Sequence, residues 1–111
     1  MLSVVIPAYN EEEMVPVAAK TVAQVLRDAG IVYELVFVDD GSRDRTWEEI
    51  RALASPQLRG VHFSRNFGKE AAIFAGLQAA KGDCVAVMDC DLQHPPEKLA
   101  EMYRLWEQGA E

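Results

Sequence analysis

A fourfold alternation of two hydrophobic periods restricts this chain more than any other property of its sequence. Short runs rich in β-branched residues recur at Leu2–Ile6, Glu34–Val38, Gly60–Phe63 and Cys84–Met88. Each is followed by a polar loop and then by apolar residues at i, i+3/i+4 spacing, the period of a helix that buries one face. The spacing places Met14, Ala18, Val22, Val25 and Ala29 on one helical face, and Trp47, Ile50, Leu53 and Ala54 on a second. It places Ile73, Leu77 and Ala80 on a third, and Leu99, Met102, Tyr103 and Trp106 on a fourth. Gly30, Gly82 and Gly109 each follow a helical run, as helix-ending glycines do. Ser42 and Asp44 suit N-caps, and Pro95-Pro96-Glu97 suits a first turn. The pattern βαβαβαβα predicts an α/β fold: a Rossmann-like parallel sheet with helices on both faces and right-handed crossovers. The expected strand order is 3-2-1-4.

At 111 residues the chain has room for one domain, residues 1–111. Half of it is hydrophobic and 26% is charged, the balance of a soluble globular protein. With 11 basic residues against 18 acidic, a net charge of −7, it lacks the basic face that a nucleic-acid binder needs. The apolar stretch 71–80 is interrupted by Gln78 and falls far short of the about 20 residues of a membrane span. The run Met1-Leu2-Ser3-Val4-Val5-Ile6-Pro7 has no basic segment ahead of it, and reads as a strand instead of a signal peptide. Cys84 and Cys90 lie in or beside one strand-like run, too far apart to bridge. They read as buried thiols in a reducing compartment.

In open α/β sheets, ligands bind beyond the carboxyl ends of the strands, where the strand order reverses. Here that point falls between the first and fourth strands. Seven acidic residues gather in three of the loops along this edge: Glu11, Glu12, Glu13, Asp39, Asp40, Asp89 and Asp91. In an extended segment Asp89 and Asp91 point the same way, so both carboxylates face one cation. With the amide oxygen of Gln93 they form a hard oxygen set suited to Mg²⁺ or Mn²⁺. The same residues also suit a turn before the Pro95-Pro96 helix start, and His94 reads as an exposed-loop histidine. In Asp39-Asp40-Gly41-Ser42, Gly41 and Ser42 suit a tight turn. One aspartate is left for a ribose hydroxyl or base N–H and the other to support the loop. Tyr9 offers a ring to stack on a base, and Glu11 an acceptor for base or ribose. Glu12 and Glu13 read as acids at a helix N-terminus. Arg65 and Lys69 either offset phosphate charge or pair with Glu70 and the aspartates.

Rival motifs fail. No Gly-x-Gly-x-x-Gly follows a strand. Around Gly68-Lys69, Phe63 and Glu70 stand where a phosphate-binding loop requires Gly and Ser or Thr. There is no Gly-x-Ser-x-Gly elbow, and the cysteines lack zinc spacing.

Taken together, four motifs make the chain resemble the nucleotide-binding half of family-two inverting glycosyltransferases of the GT-A fold. They are Val5-Ile6-Pro7-Ala8-Tyr9-Asn10-Glu11-Glu12, Val38-Asp39-Asp40-Gly41-Ser42, Phe63-Ser64-Arg65-Asn66-Phe67-Gly68-Lys69-Glu70 and Met88-Asp89-Cys90-Asp91-Leu92-Gln93. The last two are similar to the branch of dolichol-phosphate mannose synthase and bacterial polyprenyl-phosphate glycosyltransferases. The resemblance implies that Pro7, Ala8, Tyr9, Glu11, Asp39 and Asp40 hold the nucleotide of a UDP- or GDP-linked sugar. It implies that Asp89 and Asp91 are catalytic and, with Gln93, bind the metal, with Arg65 and Lys69 as candidates for the phosphates. Cys90 stands where the branch often has a small residue, and His94 where relatives are often acidic. The implied acceptor is a lipid phosphate, and the implied location is the cytoplasm, at the cytoplasmic face of a membrane. Family members are longer, so the chain is expected to be a donor-binding piece that does not transfer sugar alone and that self-associates or exchanges strands. A non-catalytic nucleotide-binding module, or a nucleotidyltransferase-like domain, stands as the alternative.

Overall fold

The computed structural model describes residues 1–109. Its elements alternate as expected: β1 (Leu2–Ala8), α1 (Met14–Asp28), β2 (Tyr33–Asp39), α2 (Thr46–Ala52), β3 (Leu58–His62), α3 (Lys69–Ala79), β4 (Cys84–Val87) and α4 (Glu97–Glu107). The described residues form a four-stranded parallel sheet of order β3-β2-β1-β4. The boundaries follow pairing more than local propensity. Strand β1 runs on through Pro7 and Ala8 because both still pair with β2. The missing N–H of Pro7 is tolerated because β4 accompanies β1 only as far as Val5. Strand β3 begins at Leu58, which pairs with Leu35, two residues before the expected start at Gly60.

The crossover from β3 to β4 travels back over β2 and β1, so α3 covers one sheet face and the other helices cover the opposite face. Alternate residues divide accordingly. Leu2, Val4, Ile6, Leu35 and Phe37 join Val22, Leu26, Ile50, Leu99 and Tyr103 in the larger core. Val5, Val36 and Val38 meet Ala72 in the smaller one. Helix α1 buries Val15, Ala18, Ala19, Val22 and Leu26, a face turned slightly from the expected one. Helix α4 buries Leu99 and Tyr103 and leaves Met102 and Trp106 over a third exposed.

Helix α3 overturns the expectation from spacing. Ile73 and Leu77 do not form its buried face; Ala72 and Gly76 do, while Phe74 is 63% and Leu77 44% exposed. The reason is distance: a Cβ on Gly76 would lie 2.3 Å from Val5 Cγ1. The helix sits so close to the sheet that small side chains face inward and large ones outward. Val85 and Val87 of β4 are also exposed.

The glycines divide as well. Gly30 (φ 70°) and Gly109 (φ 88°) end α1 and α4 in the left-handed region, as expected. Gly82 has no positive φ and is not a helix-ending glycine; a Cβ there would strike Met1 O at 2.5 Å and Ser3 Oγ at 2.6 Å. Among the described residues, no helix is long and apolar enough to cross a membrane. Both cysteines are free, Cys90 buried and Cys84 half-buried.

Candidate functional site

At the carboxyl end of the sheet, between β1 and β4, lies a cleft of about 350 Å³. The β1–α1 segment contributes Pro7, Ala8, Tyr9 and Glu11 to its lining, and the end of β2 contributes Asp40. The segment after β4 contributes Asp89, Cys90, Asp91 and Gln93, and α3 contributes Lys69. Nine candidate residues from separate loops thus meet in one place, with Cys90 beside them. Two candidates do not line it: Asp39, which is fully buried, and Arg65, whose guanidinium lies 4.2 Å from the centre of the Phe67 ring. His94 lies outside it as well.

The loops that carry the cleft are sewn together by side chains accepting backbone N–H groups. Asn10 N donates to Ser42 Oγ (2.9 Å), and Arg43 N donates back to Asn10 Oδ1 (2.8 Å). Glu11 N donates to Thr46 Oγ1 (2.8 Å), and Glu12 N to Asp44 Oδ2 (3.3 Å). Asn10 adopts φ 53°, a conformation asparagine tolerates better than most residues. Ser42 therefore serves the β1–α1 loop instead of capping α2. Asp44 Oδ1 accepts from Thr46 N at 2.9 Å, close to the expected capping role. Asn10 and Thr46 carry this clasp yet were not singled out from sequence. Thr46 lies four residues beyond Ser42, and Asn10 belongs to the polar loop after β1.

Asp40 supports a second loop. Its carboxylate accepts from Phe67 N (2.8 Å), Gly68 N (3.1 Å) and Asn66 Nδ2 (3.1 Å). Gly41 (φ 70°) lets that loop pass; a Cβ there would lie 2.1 Å from Arg65 C.

Asp89 and Asp91 do not sit on an extended strand end. β4 stops at Val87, and Leu92 N donates to Asp89 O at 3.2 Å, closing a turn with Leu92 at φ 59°. The turn still brings both residues to the cleft. Lys69 Nζ lies 2.6 Å from Asp89 Oδ1, so of its two readings the structure shows the pairing with an aspartate, inside the cleft. Glu11 is held above the usual carboxylate range by burial, then by the neighbouring charges of Asp91 and Asp44. Burial, with Glu11 and Asp91 nearby, pushes the Cys90 thiol up to about 12.

Asp89, Asp91 and Gln93 bring to the cleft oxygen donors of the kind a divalent ion takes. Among the described residues, no three of His, Cys, Asp and Glu are grouped as a metal cage. Two carboxylates, with Gln93 beside them, leave most positions to water and substrate oxygens, the habit of Mg²⁺. Glu11 is raised first by burial and then by the charges of Asp91 and Asp44, and a cation relieves only the second of these.

Comparison with known proteins agrees with this fold. Residues 3–111 match the model of the family described as Glycosyl transferase family 2. The chain is 45% identical to the bactoprenol glucosyl transferase of Shigella phage SfV over 99% of its own length and 36% of the relative's. It is 42% identical to the undecaprenyl-phosphate 4-deoxy-4-formamido-L-arabinose transferase of Aeromonas hydrophila over 98% of its own length and 34% of the relative's. It thus spans about a third of the length of the curated relatives it matches. Among solved structures, it superposes on a mannosyltransferase from Pyrobaculum calidifontis in complex with GDP-Man and Mn²⁺ with a TM-score of 0.75. That match has 26% identity and covers 93% of this chain and 31% of the other. It superposes on the glucosyl-3-phosphoglycerate synthase of Mycobacterium tuberculosis in complex with UDP with a TM-score of 0.68, at 32% identity, covering 86% and 36%. With this fold, and with nearly its whole length matched, the chain belongs to glycosyl transferase family 2.

Proposed function

We propose that the cleft binds the nucleotide-diphosphate part of a UDP- or GDP-linked sugar, as the donor-binding portion of a glycosyltransferase that acts with inversion on a polyprenyl phosphate. The observation that carries this reading is the convergence of Tyr9, Glu11, Asp40, Asp89 and Asp91, from three separate strand ends, on one cleft where the strand order reverses. Relatives named for bactoprenol and undecaprenyl phosphate support the acceptor class, and neighbours solved with GDP-Man and UDP support the donor class.

In this reading the exposed ring of Tyr9 stacks on the base, and Pro7 and Ala8 floor the pocket. Glu11 accepts from ribose or base. Asp40, with its oxygens already accepting from residues 66–68, shapes the site through that loop as well as by contact. Asp39 acts from behind the lining. Asp89 and Asp91, with Gln93, hold Mg²⁺ or Mn²⁺; when bound, the ion stabilises the charge of the departing diphosphate. Lys69 swings between Asp89 and a phosphate oxygen, and Arg65 stays at the rim. A lipid phosphate, with a second pKa near 6, is already an anionic nucleophile at pH 7. It therefore attacks the anomeric carbon without a general base. With that acceptor the reading puts the work at a membrane, on its cytoplasmic face. The apolar side chains exposed on α3 and β4 support self-association or strand exchange of this chain, which its mass in solution checks.

Titration with UDP and GDP, with and without Mn²⁺, tests the reading. Metal-dependent binding that Asp91→Asn abolishes supports it. Metal-independent binding untouched by that change overturns it in favour of a plain nucleotide-binding module.

A further inference from the structure

Asp39, the last residue of β2, is fully buried, and its two carboxylate oxygens are unequal. Oδ1 accepts from Ser42 N at 3.0 Å. Oδ2 is buried without a hydrogen-bond partner of good geometry. A buried carboxylate oxygen left in that state is destabilising, so what stands next to it matters. His62 Nε2 is 3.3 Å away. His62 ends β3 and is paired with Asp39 in the sheet register. Its ring is held in place by stacking on Trp47, with centroids 4.5 Å apart and planes 14° from parallel. Trp47 in turn occupies the space above Gly60, where a Cβ would come 2.8 Å from the indole. Trp47 and Gly60 thus hold one imidazole nitrogen close to the orphaned oxygen.

We propose that His62 is a positioning residue for the donor site. With its hydrogen on Nε2 it donates to Asp39 Oδ2 and fixes the carboxylate whose other oxygen holds Ser42 N. This rests on the reading of the cleft given above. Neither His62 nor Asp39 lines the cleft; the influence passes along the turn. Ser42 Oγ accepts from Asn10 N, and Asn10 lies between Tyr9 and Glu11. Asp40, which follows Asp39, holds the loop of residues 66–68. A carboxylate free to rotate at position 39 loosens both loops that shape the pocket.

Three variants of the 111-residue chain test this. His62→Phe keeps an aromatic ring for Trp47 and removes the donor. His62→Gln restores an amide N–H near the position of Nε2. Asp39→Asn removes the charge that needs the partner. Mn²⁺-dependent UDP and GDP affinity should fall about tenfold in His62→Phe and recover largely in His62→Gln. In the Asp39→Asn background, His62→Phe should cost little further. Imidazole ¹⁵N shifts should show a hydrogen on Nε2. The Ser42 and Asn10 amide signals should move in His62→Phe and return in His62→Gln. A neutral ring carrying its hydrogen on Nδ1, stationary amide signals, or His62→Phe affinity equal to that of the unsubstituted chain would each overturn the proposal. If the unsubstituted chain binds neither nucleotide, the reading of the cleft falls instead. The amide and imidazole signals then still decide whether His62 sets the turn.

Discussion

The two ends of the sheet each hold acidic groups, and they treat them in opposite ways. At the amino end, Glu34 is buried in a complete set of partners. It accepts from Ser3 Oγ (2.6 Å), Lys81 N (2.6 Å) and Arg59 NH2 (2.7 Å). Ser3 Oγ also accepts from Gly82 N at 2.8 Å, and Arg59 donates to Ala79 O at 2.6 Å, so the clasp joins β1, β2, β3 and the α3–β4 connection. Burial alone would raise the Glu34 carboxyl. The Lys81 N–H, the Ser3 hydroxyl and the Arg59 guanidinium overcome that and hold it below the usual range. At the carboxyl end, Glu11 is raised by burial and by the charges of Asp91 and Asp44. The same residue type, at two ends of one sheet, is displaced in opposite directions. The amino end is satisfied from within the chain and holds the fold together. The carboxyl end carries unbalanced negative charge, the condition expected where a cation and its ligand complete the set.

Substitutions should separate the two ends. The largest effect belongs to Glu34→Ala, which strands Arg59 and two further donors. It should lose about 3–5 kcal/mol in urea unfolding; a loss below 1 kcal/mol would mean that the amino-end clasp does not hold the fold. Gly82→Ala, which drives a Cβ against Met1 O and Ser3 Oγ, should cost about 1–3 kcal/mol. Asp91→Asn should behave in the opposite way. Without metal, its stability should match or exceed the parent's by less than about 1 kcal/mol, because a like charge beside Glu11 is gone. Its thermal midpoint should no longer rise with Mn²⁺. A marked metal-free destabilisation would make Asp91 a structural residue.

The smallest effects concern pH. Glu34 is depressed below its ordinary value of 4.5, so its stabilisation is present above that value and is lost as pH falls through the depressed one. Glu34→Gln should therefore flatten the acid limb of the stability curve. Glu11 is raised above 4.5, so its sign is reversed: stability is present below that value and is lost as pH rises through the raised one. Glu11→Gln should gain slightly on the parent at neutral pH and not in acid. Stability curves of the two variants that bend in the same direction would erase the contrast between the ends.

The amino acid sequence exposes these two ends unequally. The strand order and the loops of the cleft follow from alternation and from the topology of open sheets, which are local and general signals. The Glu34 clasp does not. Its partners lie 31, 25 and 47 residues away, and a glutamate opening a strand looks like a solvated one. Helix α3 misleads for a related reason. Ile73 and Leu77 have the spacing of a buried face, but the closeness of Gly76 to Val5 reverses the packing, and only the sheet beneath it reveals that. An extended strand end predicts that Asp89 and Asp91 share a face, whereas a turn brings them to the cleft. Asp39 and Asp40 look equivalent in sequence. The fold separates them, with one behind the lining and the other on it.

Cys90 lies between the two aspartates, at the floor of the cleft, with its thiol pushed up to about 12. Only the thiolate reacts appreciably with peroxides, disulfides or alkylating reagents. Buried, and with its thiol so raised, Cys90 is a weak nucleophile in the cleft as it stands. The cleft keeps a soft atom beside its hard oxygen donors without acquiring an oxidation-sensitive weak point.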